Sequence, residues 1–135
     1  MGAFGTKNFQ NDSAMDFAEK FLENPTVDVL EEALLIANES SDHLEGEEYL
    51  EVDEACAALA AAEVLAASLG KPATDFPKKL QEAVLIIPTT PKLQKLARKV
   101  VKKVKTKSEL QELWAEGDKL NEWLDVQKDL LNRLK

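Results

Sequence analysis

One cysteine and one histidine occur among 135 residues, and their scarcity removes whole classes of chemistry. A lone Cys56 cannot form an intrachain disulfide, which fits a reducing compartment. A lone His43 cannot place two imidazoles on one helix face, as zinc-dependent hydrolase motifs require. Glycine and proline are sparse, at five each, and no strand-like alternation is sustained. No apolar run approaches the roughly 18 to 20 residues that span a bilayer. The N-terminal stretch has an early Lys7 and no apolar core, so no secretory signal is expected. A formal charge of −8 disfavours general affinity for nucleic acid or anionic membrane. These absences leave a single cytoplasmic domain, residues 1–135, as the expectation.

What is present is helical patterning. Hydrophobic residues make up 44% and charged residues 31%, a balance that buries a core and argues against disorder. In "NDSAMDFAEKFLEN", Asn11 or Asp12 can cap a helix whose Ala14, Phe17, Ala18, Phe21 and Leu22 share one face. Asn24-Pro25 interrupts it, and Thr26 is placed to cap a second helix carrying Val29, Leu30, Ala33, Leu34 and Ala37. "NESSDHLEGE" reads as a loop with Gly46 at a turn. "EEYLEVDEACAALAAAEVLAASLG" is a long Ala-rich helix closed by Gly70, apolar on most sides except at Glu63 and Ser68. A helix that apolar belongs at the centre of a domain.

Asp75 is placed to cap a short helix through "FPKKLQEAVLII", which Pro88 ends. Thr90 and Pro91 then form a cap and first-turn proline for "KLQKLARKVVKKV". Ser108 and Gln111 make a capping-box pattern for a sixth helix that could run to the C-terminus. Its seam is Leu110, Leu113, Gly117, Leu120, Leu124, Gln127, Leu131 and Leu134, widened by Trp114, Trp123 and Leu130. That width favours an intramolecular bundle and a monomer, with a homodimer through the C-terminal helix as the alternative. The expected fold is all-α: a single bundle of about six helices, with the Gly-rich N-terminal segment packed against it.

Charge is polarised along the chain. Between Glu39 and Glu54 lie eight acids (Glu39, Asp42, Glu45, Glu47, Glu48, Glu51, Asp53, Glu54) and no Lys or Arg. Between Lys71 and Lys107 lie eleven basic residues and two acids. Within that basic stretch Lys92, Lys95, Arg98, Lys99, Lys102 and Lys103 crowd the polar faces of an amphipathic helix that has no aromatic residue to stack bases.

Catalytic groups are harder to find. Cys56 lies inside the Ala-rich helix, where a thiol behaves as a small hydrophobe. Asp42, His43 and Glu47 are weak candidates for a metal, without the spacing of a calcium loop. The acid pairs Glu31/Glu32, Glu47/Glu48 and Asp53/Glu54 are adjacent and diverge around a helix. No phosphate-binding loop is present, no catalytic residue is assigned and no cofactor is expected.

"MGAFGTKNFQNDSAMDF" resembles the opening of an uncharacterised bacterial family, the domain of unknown function 4259 family, with Phe4 where that family commonly has Trp. "YLEVDEACAALAAAEVLAASLGKP", "KLARKVVKKVKTKSELQELWAE" and "WLDVQKDLLNRL" resemble its later segments. The resemblance implies a bacterial protein and carries no activity. It also bears on Gly2 and Thr6, which match an N-myristoylation pattern that bacteria are not expected to use. A structural reading is preferred: Gly2 and Gly5 let Phe4 and Phe9 turn inward as a plug, while Asn11 and Asp12 cap the first helix and Asp16 follows on it.

The expected function is a protein-binding module, in its sharper form a toxin-neutralising, immunity-like protein that covers a basic partner with its acidic surface. Expected contact residues are Glu39, Asp42, Glu45, Glu47, Glu48 and Glu51, with Lys95, Lys99, Lys102 and Lys103 on the basic side. The alternatives are a carboxylate/His enzyme, and nucleic-acid or membrane contact through residues 92–107.

Overall fold

The computed structural model describes residues 5–40 and 50–135. These form seven helices: α1 (Asp12–Glu23), α2 (Val27–Ser40), α3 (Val52–Ser68), α4 (Lys78–Val84), α5 (Pro91–Thr106), α6 (Glu109–Ala115) and α7 (Leu120–Arg133). An isolated β-bridge joins Leu50 to Ser108, and no strand occurs among the described residues. The all-α bundle expected from the sequence is the fold. Nothing is long and apolar enough among the described helices to cross a membrane.

The Ala-rich helix α3 is the axis. It packs against every other helix, and its Ala58, Ala60, Ala61, Ala62, Val64, Leu65 and Ala66 are fully buried. Small side chains explain this centrality, because alanine lets neighbouring helices approach closely on all sides. The helix ends in a Schellman motif: Gly70 N–H donates to Ala67 O and Lys71 N–H to Ala66 O (2.9 and 3.0 Å), with Gly70 at φ +85°. At its other end Glu51 makes no side-chain cap. A residue distant in sequence substitutes: Glu109 Oε1 accepts from Val52 N–H at 3.1 Å, and Glu109 N–H donates to Leu50 O at 2.9 Å.

Local caps elsewhere follow the sequence. Asn11 Oδ1 accepts from Ala14 N–H, Thr90 Oγ1 from Leu93 N–H with Pro91 in the first turn, and Ser108 Oγ from Gln111 N–H. Each side chain accepts from an N–H that the helix itself leaves unpaired. Asp12 is the first helical residue and not a cap, where its charge opposes the positive helix end.

Four expectations need correction. The sixth helix, which the sequence allowed to run to the C-terminus, instead breaks between Ala115 and Leu120 around Gly117-Asp118, residues poor at sustaining a helix. The leucine seam is therefore discontinuous, and the buried side of α7 is Trp123, Gln127 and Leu130. Thr26 does not cap α2: its hydroxyl is buried without a hydrogen-bond partner, and a tight turn closed by Thr26 N–H to Asn24 O (2.8 Å) sets the chain's entry. Asp75 does not cap α4 either. Pro77 occupies the cap position in extended geometry, and the helix stops at Val84, leaving Leu85 and Ile86 on the surface at 82% and 69% exposure.

Of the N-terminal segment expected to plug the bundle, residues from Gly5 onward are described; Gly2 and Phe4 lie outside the described residues. Phe9 is buried and meets Phe76 edge to face, with centroids 5.8 Å apart. A Cβ on Gly5 would run into the Gln10 side chain, whose Oε1 accepts from Lys7 N–H.

Candidate functional site

Among the described residues, polar groups gather in two places in particular. The first is internal. Asn8, from the N-terminal segment, donates through Nδ2 to Glu63 Oε2 (2.8 Å) and Gln127 Oε1 (3.1 Å), and accepts from Gln127 Nε2 at 2.8 Å. Arg133 Nη1 and Nη2 donate to Glu63 Oε1 and Oε2 at 2.9 and 3.2 Å, while its Nε donates to Asp129 Oδ2 at 2.8 Å. Burial works against the Arg133 charge, but the hydrogen bonds and charges of Glu63 and then Asp129 outweigh it and raise the guanidinium above its ordinary range. Nearby, Thr6 Oγ1 donates to Glu122 Oε2 at 3.0 Å.

This network floors a cleft of about 450 Å³ bounded by Lys7, Pro72, Asp75, Asp125 and Arg133. Every named buried polar group here has a partner, so the network acts as a clamp joining the N-terminal segment, α3 and α7. A buried ion pair is a weak source of net stability, but removing one of its partners is costly.

The second place is external. Helices α1 and α2 both pack on α3 but barely touch each other, and a groove of about 390 Å³ lies where they diverge. Its apolar lining comes from Phe17, Val29, Ala33, Ile36 and Ala57. Among the described residues, carboxylates of Asp16, Glu32, Asp53 and Glu54 also line it, with Lys20 the one cation. Lys20 is spanned to Glu32 at 3.4 Å, an exposed pair worth little to stability. Ser13 Oγ donates to Asp53 Oδ1 at 2.8 Å, tying α1 to the start of α3. The groove is thus apolar below, acidic around, and open to solvent.

The family model described as Domain of unknown function (DUF4259) matches residues 2–126. The chain belongs to the DUF4259 family. No curated protein and no solved structure matches it. In this DUF4259 chain the internal network joins residues within the matched stretch, Asn8 and Glu63, to Gln127 and Arg133 just beyond it.

The expected contact residues separate. Glu39 and Glu51 are exposed, while Asp42, Glu45, Glu47 and Glu48 lie outside the described residues, as does His43. Lys95, Lys99 and Lys102 are exposed along α5 opposite its buried face and make no ion pair with a carboxylate among the described residues. Lys103 differs: it is half-buried and its Nζ donates to Asn38 O on α2. Asp16 reaches the groove, whereas Asp12 is exposed and does not line it. Among the described residues no group of three His, Cys, Asp or Glu side chains could hold a metal ion.

Cys56 is buried, and burial, then the charge of Asp53, pushes its thiol pKa up to about 12. A thiol so protonated is a poor nucleophile at neutral pH. Sequence reasoning missed the Asn8–Glu63–Gln127–Arg133 network. The signal was available in part, since Glu63 and Gln127 each interrupt an apolar helix face and a buried polar group needs a partner.

Proposed function

We propose that this DUF4259 chain is a protein-binding module that receives a basic region of another protein on the groove between α1 and α2. The observation that carries this reading is an open apolar lining edged by Asp16, Glu32, Asp53 and Glu54, with Lys20 the one cation among the described lining residues. The buried ionisable pair, Glu63 with Arg133, is spent on holding the fold. The net charge of −8 speeds encounter with a basic partner and repels acidic ones. Toxin neutralisation, in which an acidic surface covers a basic effector, is the sharper form of the same reading.

The test is zero-length carbodiimide coupling of carboxylates to partner lysines at low salt in native cells, followed by mapping of the joined peptides. Coupling through Asp16, Glu32 or Asp53 to one recurrent protein is expected, and it disappears in the Asp16→Lys variant. Joined peptides that never include these residues overturn the assignment.

A further inference from the structure

We infer that the occupant of the groove is a basic amphipathic α-helix of the partner protein, an inference that rests on the binding role proposed above. Each wall is itself a helix face. On α1 the lining residues are Ser13, Asp16, Phe17 and Lys20, and on α2 they are Val29, Glu32, Ala33 and Ile36. Both sets follow spacings of three, four and seven, which place them on one side over two turns, about 10 Å of axis. Two helix faces that carry the apolar lining, closed on the α3 side by Asp53, Glu54 and Ala57, leave the position another helix occupies in a bundle, where ridges enter grooves at 8 to 10 Å between axes. A helix laid there extends the packing that α1, α2 and α3 already begin, and helix-in-groove docking uses apolar anchors at this same spacing.

Charge sets the rest of the partner's chemistry. The chain turns at Asn24–Pro25–Thr26, so Lys20 and Glu32 lie toward the turn, and Ser13 and Ile36 away from it. Asp53 joins Ser13, which puts the α3 carboxylates at the end away from the turn. The bound helix therefore presents apolar residues downward and Lys or Arg on its flanks, most densely at that end. Leu35 and Ile36 add apolar surface at the rim, at 38% and 41% exposure. Small-ligand clefts of similar volume are more enclosed and hold few charges, whereas this one is open and carries four carboxylates.

The experiment titrates isotope-labelled full-length protein with a designed 14-residue peptide carrying Leu at helical spacing and Lys elsewhere. A scrambled peptide of the same composition and a Glu-for-Lys peptide serve as controls. Backbone resonances are expected to shift at residues 13–20, 29–36 and 53–57 with the amphipathic basic peptide. Asp16→Lys is expected to weaken that binding about tenfold, and Ala33→Trp, which fills the groove without changing charge, to abolish it; both variants are checked for a native melting transition. Equal binding of the scrambled peptide at the groove overturns the helix and leaves a basic protein partner standing. Shifts confined to α5, or none with any basic peptide, overturn both. Groove shifts produced by unlabelled protein itself, through the exposed Leu85–Ile86 corner of a second copy, replace the partner helix with self-association and overturn the inference.

Discussion

Arg133 and Glu63 meet in a bidentate pair, with both guanidinium Nη atoms on the two carboxylate oxygens at 2.9 and 3.2 Å. Glu63 is 2% exposed and Arg133 14%, so water screens the pair poorly. The contact fastens the end of α7 to the middle of α3 and, through Asn8, fastens the N-terminal segment to both.

Removing Arg133 strands the buried Glu63 carboxylate, whereas removing Glu63 leaves the half-buried Arg133 still paired with Asp129. Arg133→Ala is expected to cost about 3 to 5 kcal/mol in urea unfolding, and Glu63→Ala less. The double variant Glu63→Met/Arg133→Leu is expected to cost less than Arg133→Ala, because no charge is then stranded and Asn8 keeps its bonds to Gln127. A double variant as unstable as the sum of the singles would contradict the clamp.

Phe9 is the buried aromatic of the N-terminal segment among the described residues. Phe9→Ala is expected to destabilise by about 3 kcal/mol, as for other buried aromatics, since it empties the contact with Phe76. A loss near 0.5 kcal/mol, the scale of surface sites, would show that the segment does not seal the bundle.

Cys56 gives a pH signature. Its thiol titrates at about 12 in the fold against 9.0 as the ordinary value, so the native state holds the proton more tightly. Between those values the unfolded state binds fewer protons, and stability falls as pH rises from 9.0 toward 12. The Cys56→Ala variant, set against wild type over that window, is expected to lack this part of the decline. Well below 9.0 the thiol is protonated in both states and the difference between the two proteins is flat. A thiol-reactive chromophore is expected to label Cys56 only on unfolding.

Two glycines are expected to respond with opposite sign. Gly70 adopts φ +85° with open space around it, so Gly70→Ala strains the backbone alone and costs about 1 kcal/mol in thermal or urea unfolding. Gly117 has no positive φ, and an added Cβ would lie 4.0 Å from Trp114 O. There Ala restricts the unfolded chain without strain, so Gly117→Ala is expected to stabilise by about 0.4 to 1 kcal/mol.

The residues themselves determined the all-α class, the central place of the Ala-rich helix, and the caps at Asn11, Thr90 and Ser108. Each of these depends on groups within about four positions of one another, or on a side chain's own affinity for water, and such forces act before the chain has chosen its overall path. Tertiary packing alone decided that Glu109 would cap a helix beginning at Val52, that Glu63 would find Arg133, and that α1 and α2 would part. Those relationships join positions far apart in the chain. Which distant groups meet depends on how the helices pack around α3, and no local pattern encodes that arrangement.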